Sequence, residues 1–379
     1  MAKLGDVCTI SSSNVSMLDD KVWLLNLDMV EQQTGNIISY NYIGNDELNG
    51  SIIQFDTTNV LYSKLRPNLN KVVIPDRGGF ATSEMLPLKP NGNVLSREYL
   101  AAYLRSDAFV SWAVSKTAGA KMPRLGTKVL LDKEIPIPPL EEQRKIAEQL
   151  DKVSDLIAKR RGQLDKLDLL VKVRFVEMFG DPLDDKSRYQ TAPLGTVADV
   201  GSSKRIFEKE YVGNGVPFYR TKEIVELSKG HRISTELYIT RERFEQIRKE
   251  YGVPQKGDLL ISAVGTIGVI WIVDEKNNFY FKDGNLLRVA RSNNFNPVYL
   301  KVLLESLVAA HKQRMSVGTA YAALTISMLK EMPVYIVPIG EQDQFAVFVE
   351  QVEKTKASIN RSLEKLETME KALMQEYFG

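Results

Sequence analysis

The sequence predicts an α+β (mixed α/β) fold in which two unlike globular domains alternate with two long helices, arranged as an internal repeat with pseudo-two-fold character. Three observations predict it: a segment from the middle of the chain recurs at its C-terminal end, both copies show the apolar spacing of paired helices, and β-branched runs fill the remaining segments. The chain has 379 residues, of which 44% are hydrophobic and 26% are charged. This is enough apolar material for two cores.

The repeat aligns residues 142–180 with residues 341–379 without a gap, at a constant offset of 199. Twelve of the 39 aligned positions are identical, and both copies begin with Glu-Gln and end with Phe-Gly. Weaker echoes upstream are the pairs Leu4-Gly5 and Leu194-Gly195, and Tyr99-Leu100 and Tyr299-Leu300. Two unrelated helices of similar composition would not share both ends, so we interpret the pattern as a repeat that spans the whole chain.

Both copies of the repeated segment are predicted to be long helices. Apolar residues recur at spacings of three and four from Ile146 to Met178, and again from Phe345 to Tyr377. This spacing is typical of a coiled coil. Two such segments in one chain can bury their apolar stripes on each other, although a dimerisation helix would give the same pattern. A helix of roughly 39 residues would be about 58 Å long.

Proline-rich segments separate the helices from the domains. The run from Ile135 to Pro139 contains three prolines and cannot continue a central strand or a helix. Pro333 and Pro338 hold the same place in the second half. We therefore predict domains at residues 1–138 and 183–337, followed by helices within residues 139–182 and 338–379.

The two domains are predicted to mix strands with one helix near each domain's end. The expected strands are apolar or alternating runs rich in β-branched residues: Ile52–Phe55, Val60–Ser63, Val72–Pro75, Leu259–Ser262, Gly268–Val273 and Leu286–Ala290. The expected helices are Ser96–Lys116 and Asn296–Ser316. Asn296-Pro297 is a favourable N-cap and first-turn pair for the second of them.

Several function classes lack their sequence signals. The single cysteine, Cys8, and the two histidines, His231 and His311, argue against a disulfide framework, a zinc site and a Cys-His nucleophile. Neither a Walker A loop nor a dinucleotide-binding glycine motif occurs. The apolar run Leu259–Val273 is too short to span a bilayer, and residues 1–6 lack a signal-peptide pattern. We expect a cytoplasmic chain with no catalytic residues, metal or cofactor of its own.

Two alternatives stay open at this point. The tetrapeptide Asn296-Pro297-Val298-Tyr299 is similar to the Asn-Pro-Pro-Tyr loop of adenine methyltransferases, but the second proline is replaced by valine and a helix start explains it better. An enzyme with degenerate motifs would still need to bind a cofactor. The other alternative is a scaffold that uses its coiled coil to join proteins and has no affinity for DNA.

Taken together, these motifs resemble the specificity (S) subunit of type I restriction–modification enzymes across essentially the whole chain. The segments that carry the resemblance are residues 135–146, residues 175–180, their half-matches at 338–342 and 378–379, and residues 61–67 and 120–124. The chain departs from the first copy's pattern at Val337 and Gly340, where the first copy has Pro138 and Glu141. The turn before the second helix is therefore expected to differ in detail.

The resemblance implies a non-catalytic subunit with two target recognition domains, each reading one half of a split double-stranded DNA sequence. It further implies that the two helices form an antiparallel pair that docks two DNA adenine methyltransferase subunits. S-adenosylmethionine, ATP and Mg²⁺ would belong to the methyltransferase and to motor-nuclease subunits that join the complex. Similar S subunits also serve systems in which one partner chain both cleaves and methylates DNA, and the sequence does not separate the two cases.

Candidate DNA-binding residues are basic, amide and hydroxyl side chains in loops at corresponding places in the two domains. Residues 186–334 carry 22 lysines and arginines against 15 aspartates and glutamates, a charge excess that favours a polyanionic partner. In the first domain the candidates are Lys64, Arg66, Asn68, Asn70, Lys71, Lys116, Lys121 and Arg124. In the second domain they are Ser203, Lys204, Arg205, Arg220, Lys222, Arg232, Lys312, Arg314, Thr319 and Tyr321. The candidate docking residues are Glu142, Gln143, Glu341 and Gln342.

Overall fold

A computed structural model describes residues 1–10, 21–48, 50–119, 121–184, 188–231, 233–274, 278–315 and 323–379. The predicted mixture of helices and strands is confirmed. The first domain contains β1 (Ala2–Lys3), α1 (Leu4–Val7), β2 (Cys8–Ile10), β3 (Lys21–Leu25), β4 (Tyr42–Gly44), β5 (Ile52–Phe55), β6 (Val60–Ser63), β7 (Val72–Val73), β8 (Gly79–Thr82), β9 (Met85–Pro90), α2 (Arg97–Arg105), α3 (Asp107–Ser115), β10 (Thr117–Ala118), β11 (Arg124–Leu125), α4 (Thr127–Leu131) and β12 (Glu134–Ile135).

The long helix α5 (Leu140–Phe179) follows. The second domain contains β13 (Thr191–Pro193), α6 (Leu194–Val197), β14 (Val200–Gly201), β15 (Tyr211–Val212), β16 (Val216–Tyr219), α7 (Thr221–Ser228), β17 (Tyr238–Ile239), α8 (Arg241–Glu250), β18 (Leu259–Ser262), β19 (Ile270–Ile272), β20 (Tyr280–Phe281), β21 (Leu286–Val289), α9 (Pro297–Met315), α10 (Ile326–Glu331) and β22 (Pro333–Tyr335). The chain closes with the second long helix, α11 (Ile339–Phe378).

The two domains share the topology of one sheet but not of the other, in which the parallel pair is central in the first domain and at an edge in the second. One four-stranded antiparallel sheet has the order β2-β9-β6-β7 in the first domain and β14-β21-β18-β19 in the second. A second sheet, β4-β3-β8-β5 or β15-β17-β16-β20, contains one parallel pair, β3 with β8 or β16 with β20. Between β16 and β18 the second domain has α7, β17 and α8, whereas the described residues between β3 and β6 of the first domain form β4, β5 and 3₁₀ turns. The internal repeat is thus a repeat of fold with unlike additions.

The strand predictions agree with the structure and one helix prediction does not. Residues 52–55, 60–63 and 259–262 are strands over their predicted lengths, and the apolar run from Leu259 to Val273 forms the hairpin β18–β19. The helix predicted over Ser96–Lys116 is divided between α2 and α3. The cause is Ser106, whose extended backbone ends α2 and whose Oγ accepts the amide hydrogen of Phe109 to cap α3.

The expectation that the turns before the two long helices differ is wrong. Helices α5 and α11 begin at residues 140 and 339, which are related by the repeat offset of 199. The backbone N–H groups of Gln143 and Gln342 both donate to the carbonyl of the preceding proline, Pro139 or Pro338, at 3.0 and 3.3 Å. Replacing Pro138 with Val337 leaves this turn unchanged, because the residue contributes its carbonyl rather than its ring.

The chain divides into two compact units, and the division falls inside the long helices. The first unit comprises residues 1–162 and 359–379, and the second comprises residues 163–358. Each domain is therefore grouped with the first half of the helix that follows it and with the last half of the other helix. The fold thus uses both long helices in both units.

Within each unit the two helical segments run antiparallel. In the first unit Ser154 Oγ donates to Glu370 at 2.6 Å, and Arg161 forms an ion pair with Glu367 at 2.9 Å. In the second unit Lys356 Nζ lies 2.8 Å from an Asp168 carboxylate oxygen. The pairing predicted from the apolar spacing is confirmed.

The Phe-Gly ends of the two helices have equivalent roles. Phe378, at the end of α11, packs against Tyr99 of the first domain with ring centroids 5.4 Å apart. Phe179, at the end of α5, packs against Tyr299 of the second domain at 4.9 Å. Each aromatic end enters the core of the domain that does not precede its own helix. The repeated Phe-Gly ends therefore make equivalent aromatic packing contacts in the two units.

Candidate nucleic-acid interface

Three loops of the first domain meet beside the end of β6. The backbone of Lys64 donates to the carbonyl of Glu84 at 3.0 Å and accepts from the amide of Leu125 at 2.9 Å. The amide of Arg66 donates to the carbonyl of Pro123 at 2.8 Å. These bonds bring the predicted residues Lys64, Arg66 and Arg124 together, although they are up to 60 positions apart in the sequence. We call Lys64, Arg66, Glu84 and Arg124 the first-domain rim.

The backbone of the loop after β6 is unusual. Arg66 and Asn70 both have φ of 49°, in the left-handed region, and they flank the 3₁₀ turn Pro67–Leu69. Non-glycine residues adopt this conformation at a cost, and such residues concentrate at functional sites. The conformation places the exposed side chain of Arg66 beside the hairpin β10–β11.

Arg124 is held by a carboxylate at the end of a neighbouring strand. Its Nε donates to both oxygens of Glu84, at 3.1 and 3.2 Å. The side chain of Arg124 is 47% exposed and that of Glu84 is 24% exposed. Since both bonds come from Nε, the terminal nitrogens Nη1 and Nη2 are not used in this pair. The guanidinium is thus oriented and still able to donate to a ligand.

The other predicted residues of the first domain are either bonded to backbone carbonyls or exposed outside the first-domain rim. Asn70 is buried and its Nδ2 donates to the carbonyl of Arg105 at 2.9 Å. Lys71 Nζ donates to the carbonyl of Leu27 at 2.5 Å, and partial burial lowers the pKa of this amine. Both residues stabilise the loop from within and are unsuited to contact a ligand. Asn68, Lys116 and Lys121 have exposed side chains; Lys116 precedes β10, and Lys121 lies in the loop between β10 and β11.

The second domain has its basic residues after β14. Ser203 Oγ donates to the carbonyl of Phe281 at 2.7 Å, which fixes this segment against the end of β20. Lys204 Nζ lies 4.9 Å from the ring centroid of Tyr251, a cation–π contact. Arg205 Nε donates to Asp283 Oδ2 at 2.8 Å, and this bond raises the pKa of Arg205. We call Ser203, Lys204, Arg205 and Asp283 the second-domain rim.

A polar cleft of about 260 Å³ lies beside this rim and contains a residue that sequence reasoning missed. Arg288, on β21, lines the cleft with Lys204 and Tyr251. Its Nε donates at 2.6 Å to Asp258, a fully buried carboxylate that also accepts the amides of Gln255 and Arg291 at 2.8 Å. The sequence signal that could have identified Arg288 is its place inside the otherwise apolar strand run Leu-Leu-Arg-Val.

The remaining second-domain candidates are spread over other elements. Arg220 precedes α7, and its amide and Nη2 donate to the buried Glu223 at 2.8 and 3.1 Å, which raises the pKa of Arg220. Lys222 is exposed on α7, and Lys312 and Arg314 are exposed in the last turn of α9. The structure does not bring these residues into contact with the second-domain rim. Arg232, Thr319 and Tyr321 lie outside the described residues.

The two rims have a carboxylate at equivalent positions, but their lysines and arginines are at different positions. Leu125 donates its amide to the carbonyl of Lys64, and Leu324 donates to that of Ala263, both at 2.9 Å. These matched bonds place Ala263 where the first domain has Lys64, and Ala323 where it has Arg124. Glu84 and Asp283 also differ by 199 positions and follow the equivalent strands β8 and β20. The repeat offset could have identified this acid pair in the sequence.

The predicted docking residues divide into two kinds. Gln143 and Gln342 are fully buried, so neither can contact a partner, which corrects the prediction for both. Gln143 Oε1 accepts from the amide of Ser96 at 2.8 Å, and its Nε2 donates to the carbonyls of Val94 and Pro138, both at 2.8 Å. Gln342 makes the three corresponding bonds, at 2.7–3.0 Å.

The two glutamates lie nearer the surface. Glu142 is exposed at the start of α5. Glu341 accepts from the hydroxyl of Tyr189 at 2.6 Å and lies 3.6 Å from Arg188. The side chain of Glu142 is therefore accessible to a partner at the start of α5, whereas Glu341 already bonds to Tyr189 and lies beside Arg188 in its own unit.

The described residues lack the features of a metal site and of a membrane span. Groups of three or more histidine, cysteine, aspartate or glutamate side chains placed to hold a metal ion are absent from these residues. In the same residues, every helix is either too short or too polar to cross a membrane. Burial raises the pKa of the Cys8 thiol to about 12.

The two domains repeat one four-stranded sheet and carry different basic side chains at their rims. Residues 1–168 and 186–368 match the type I restriction modification DNA specificity domain, so the chain belongs to that family. A Haemophilus influenzae protein named as a type I restriction enzyme specificity subunit is 28% identical over 276 residues, which cover 71% of this chain and 67% of that protein. The specificity subunit of the Escherichia coli type I restriction enzyme EcoDI is 27% identical over 184 residues, 48% of this chain and 40% of that protein.

The fold is found among solved structures. A chain from a structural study of complex assembly and conformational transition in the type I restriction–modification system superposes with a TM-score of 0.58 and 19% identity. The superposition covers 100% of this chain and 96% of that one. The curated matches are less complete: the chain spans about two thirds of the Haemophilus influenzae protein and less than half of the Escherichia coli protein. The resemblance inferred from the repeated motifs is confirmed at the level of family and fold.

Proposed function

We propose that this chain is the DNA-sequence-specificity subunit of a type I restriction–modification complex and reads a bipartite, gapped target. Residues 1–138 and 183–337 would each recognise one half-site of double-stranded DNA. Family membership supports the general function, since the matched relatives are specificity subunits. The chain itself would not be catalytic, and S-adenosylmethionine, ATP and Mg²⁺ would be bound by its partners. A subunit working on the chromosome would reside in the cytoplasm.

One observation carries the proposal of a bipartite target: corresponding parts of the two domains carry two different sets of basic side chains that are exposed or half-buried. The first-domain rim offers Lys64, Arg66 and Arg124, whereas the equivalent positions of Lys64 and Arg124 in the second domain are alanines. There, Lys204 and Arg205 come from a different loop. Base edges are read by specific side chains and phosphates by positive charge, so equal scaffolds with unequal rims suit two different half-sites.

The long helices are the proposed docking surface for two DNA adenine methyltransferase subunits. Helix α5 has exposed apolar side chains at Leu169, Val173 and Val176, which are spaced at i, i+4 and i+7 and so share one face. They lie within the second unit, and the exposed Glu142 lies at the start of the same helix. Motor-nuclease subunits, or a single partner that combines cleavage with methylation, are the further partners we propose.

The test maps methylated adenine by single-molecule sequencing in cells that express this chain with its neighbouring methyltransferase. We expect N6-methyladenine at one asymmetric, gapped motif that disappears when this chain is deleted. Exchanging residues 183–337 for those of a relative should change one half of the motif and leave the other unchanged. A methylome that is the same with and without this chain, while the methyltransferase is expressed and folded, would refute the proposal and favour the scaffold alternative.

A further inference from the structure

The two domains share one detail of their rims that the overall charge does not explain. Glu84 and Asp283 each lie two residues beyond the strand of the parallel pair, β8 in the first domain and β20 in the second. Each carboxylate is mostly buried, with 24% and 13% of the side chain exposed. Each also accepts a hydrogen bond from the Nε of a well-exposed arginine.

The arginines themselves are not equivalent. Arg124 comes from the hairpin strand β11, whose counterpart position in the second domain is Ala323. Arg205 comes from the segment after β14. The carboxylate stays at one position while the arginine comes from a different loop in each domain. This pattern indicates that the carboxylate orients the arginine.

Stability does not account for the two pairs. Ion pairs that involve a well-exposed partner contribute little to folding, and Arg124 and Arg205 are 47% and 68% exposed. Both contacts use Nε, so Nη1 and Nη2 of each guanidinium remain outside the pair. An arginine with its terminal nitrogens directed outward is suited to a bidentate contact with O6 and N7 of guanine, the most common specific contact in the major groove.

We propose that Glu84 and Asp283 are positioning residues that orient Arg124 and Arg205, and that each of these arginines reads one guanine in its own half-site. This inference rests on the proposed function, in which both domains read DNA. It adds that each half-site contains a G·C pair whose recognition depends on a carboxylate that does not itself contact the base. Fixing the guanidinium in advance lowers the entropy lost on binding.

The experiment uses the full chain with its methyltransferase and compares methylation at every single-base variant of the motif. Glu84→Ala should reduce the preference for guanine at one position of one half-site by about tenfold or more, a bidentate contact being the source of that discrimination. The other half-site should keep its preferences. Asp283→Ala should have the same effect in the other half-site only. Arg124→Lys and Arg205→Lys, which keep the charge but lose the fork, should relax the same two positions.

A matched control is present in the second domain. Arg243 Nε donates to Glu210 at 2.9 Å in the same manner, but both side chains are only about a quarter exposed (26% and 23%) and lie on α8 and its neighbouring 3₁₀ turn. Glu210→Ala should therefore leave base preference unchanged. Partial rescue is expected from Glu84→Gln and Asp283→Asn, because an amide oxygen can still accept from Nε.

The outcomes separate the two proposals. A wild-type motif that lacks guanine in either half-site overturns the inference and leaves the proposed function intact. So does a loss of methylation that is uniform over all base variants, which is the result for a purely structural or electrostatic role. If a glutamate or aspartate variant does not fold, as judged by thermal unfolding, the arginine-to-lysine variants decide the question alone. The absence of any motif from wild type would instead refute the proposed function.

Discussion

The two halves of this molecule have nearly the same interior and different rims. Gln143 and Gln342 make the same three buried hydrogen bonds, and Phe378 and Phe179 enter equivalent aromatic clusters. At the rims, Lys64 corresponds to Ala263. The difference teaches that the repeated residues maintain the packing between domain and helix, whereas the two copies differ at the rims that we propose to contact DNA.

The largest expected effect comes from removing the aromatic ends of the helices. Phe179 is fully buried among Phe175, Tyr299 and Phe345, so Phe179→Ala should lower the free energy of unfolding by about 3–5 kcal/mol. Phe378→Ala should cost less, because Phe378 is 8% exposed. Chemical denaturation followed by circular dichroism measures both values.

A comparison with Val176→Ala sharpens this prediction. Val176 lies one turn before Gly180 on the same helix, but it is 45% exposed, so its truncation should change stability by less than about 1 kcal/mol. Equal losses for Phe179 and Val176 would show that helix propensity, rather than the aromatic cluster, determines the effect. Equal losses for Phe179 and Phe378 would show that burial does not distinguish the two copies.

The next effect concerns the buried glutamines. Gln143→Leu would leave the amide of Ser96 and the carbonyls of Val94 and Pro138 without this partner in a buried place. Each unsatisfied buried group costs about 1–3 kcal/mol, so we expect a loss of about 3 kcal/mol after local relaxation. Gln342→Leu should behave alike, because its bonds are the same. Glu142→Gln, at an exposed neighbouring position, is the control and should be neutral within experimental error.

These glutamines show how far the sequence could predict the structure. The repeat, the periodicity of the helices and the β-branched runs follow local rules, and the corresponding elements were predicted to within a few residues. The glutamines also drew attention by recurring at the offset of 199, but recurrence alone does not distinguish a buried hydrogen-bonding residue from a docking residue. Only the tertiary structure shows that Ser96 and Val94 lie against Gln143.

The rims were less predictable for a similar reason. Charge and loop position indicated Arg66, Arg124 and Arg205, and the structure brings Arg66 and Arg124 into one cluster. The same reasoning chose Asn70, whose burial depends on the left-handed turn around it. It passed over Glu84, because an acid near a proposed DNA surface reads as unfavourable until its arginine partner is seen. Long-range hydrogen bonds leave no periodic signal in a sequence.

A smaller effect is expected at the paired glycines of the short helices. A Cβ atom on Gly5 would lie 3.2 Å from both Cβ and the carbonyl oxygen of Leu131, and one on Gly195 would lie 2.9 Å from Cβ of Lys330. Gly5→Ala and Gly195→Ala should therefore each destabilise the fold by about 1 kcal/mol, as overpacking exceeds the helical gain of alanine. Gly92→Ala, where the added Cβ meets open space, should not destabilise it. Thermal unfolding distinguishes these outcomes.

The smallest effect tests the rim difference itself. Lys64→Ala makes the first rim resemble the second at this position, where Ala263 is fully buried. If Lys64 contacts a phosphate, its removal should lower the slope of log K against log salt concentration by about one and weaken binding to all sequences alike. Lys89→Ala, at an exposed lysine on β9, is the control in the same domain. DNA titrations of the complex with methyltransferase over a range of salt concentrations give the slopes. An unchanged slope for Lys64→Ala would remove this lysine from the interface, whereas a change in base preference at one position would make it a base-reading residue.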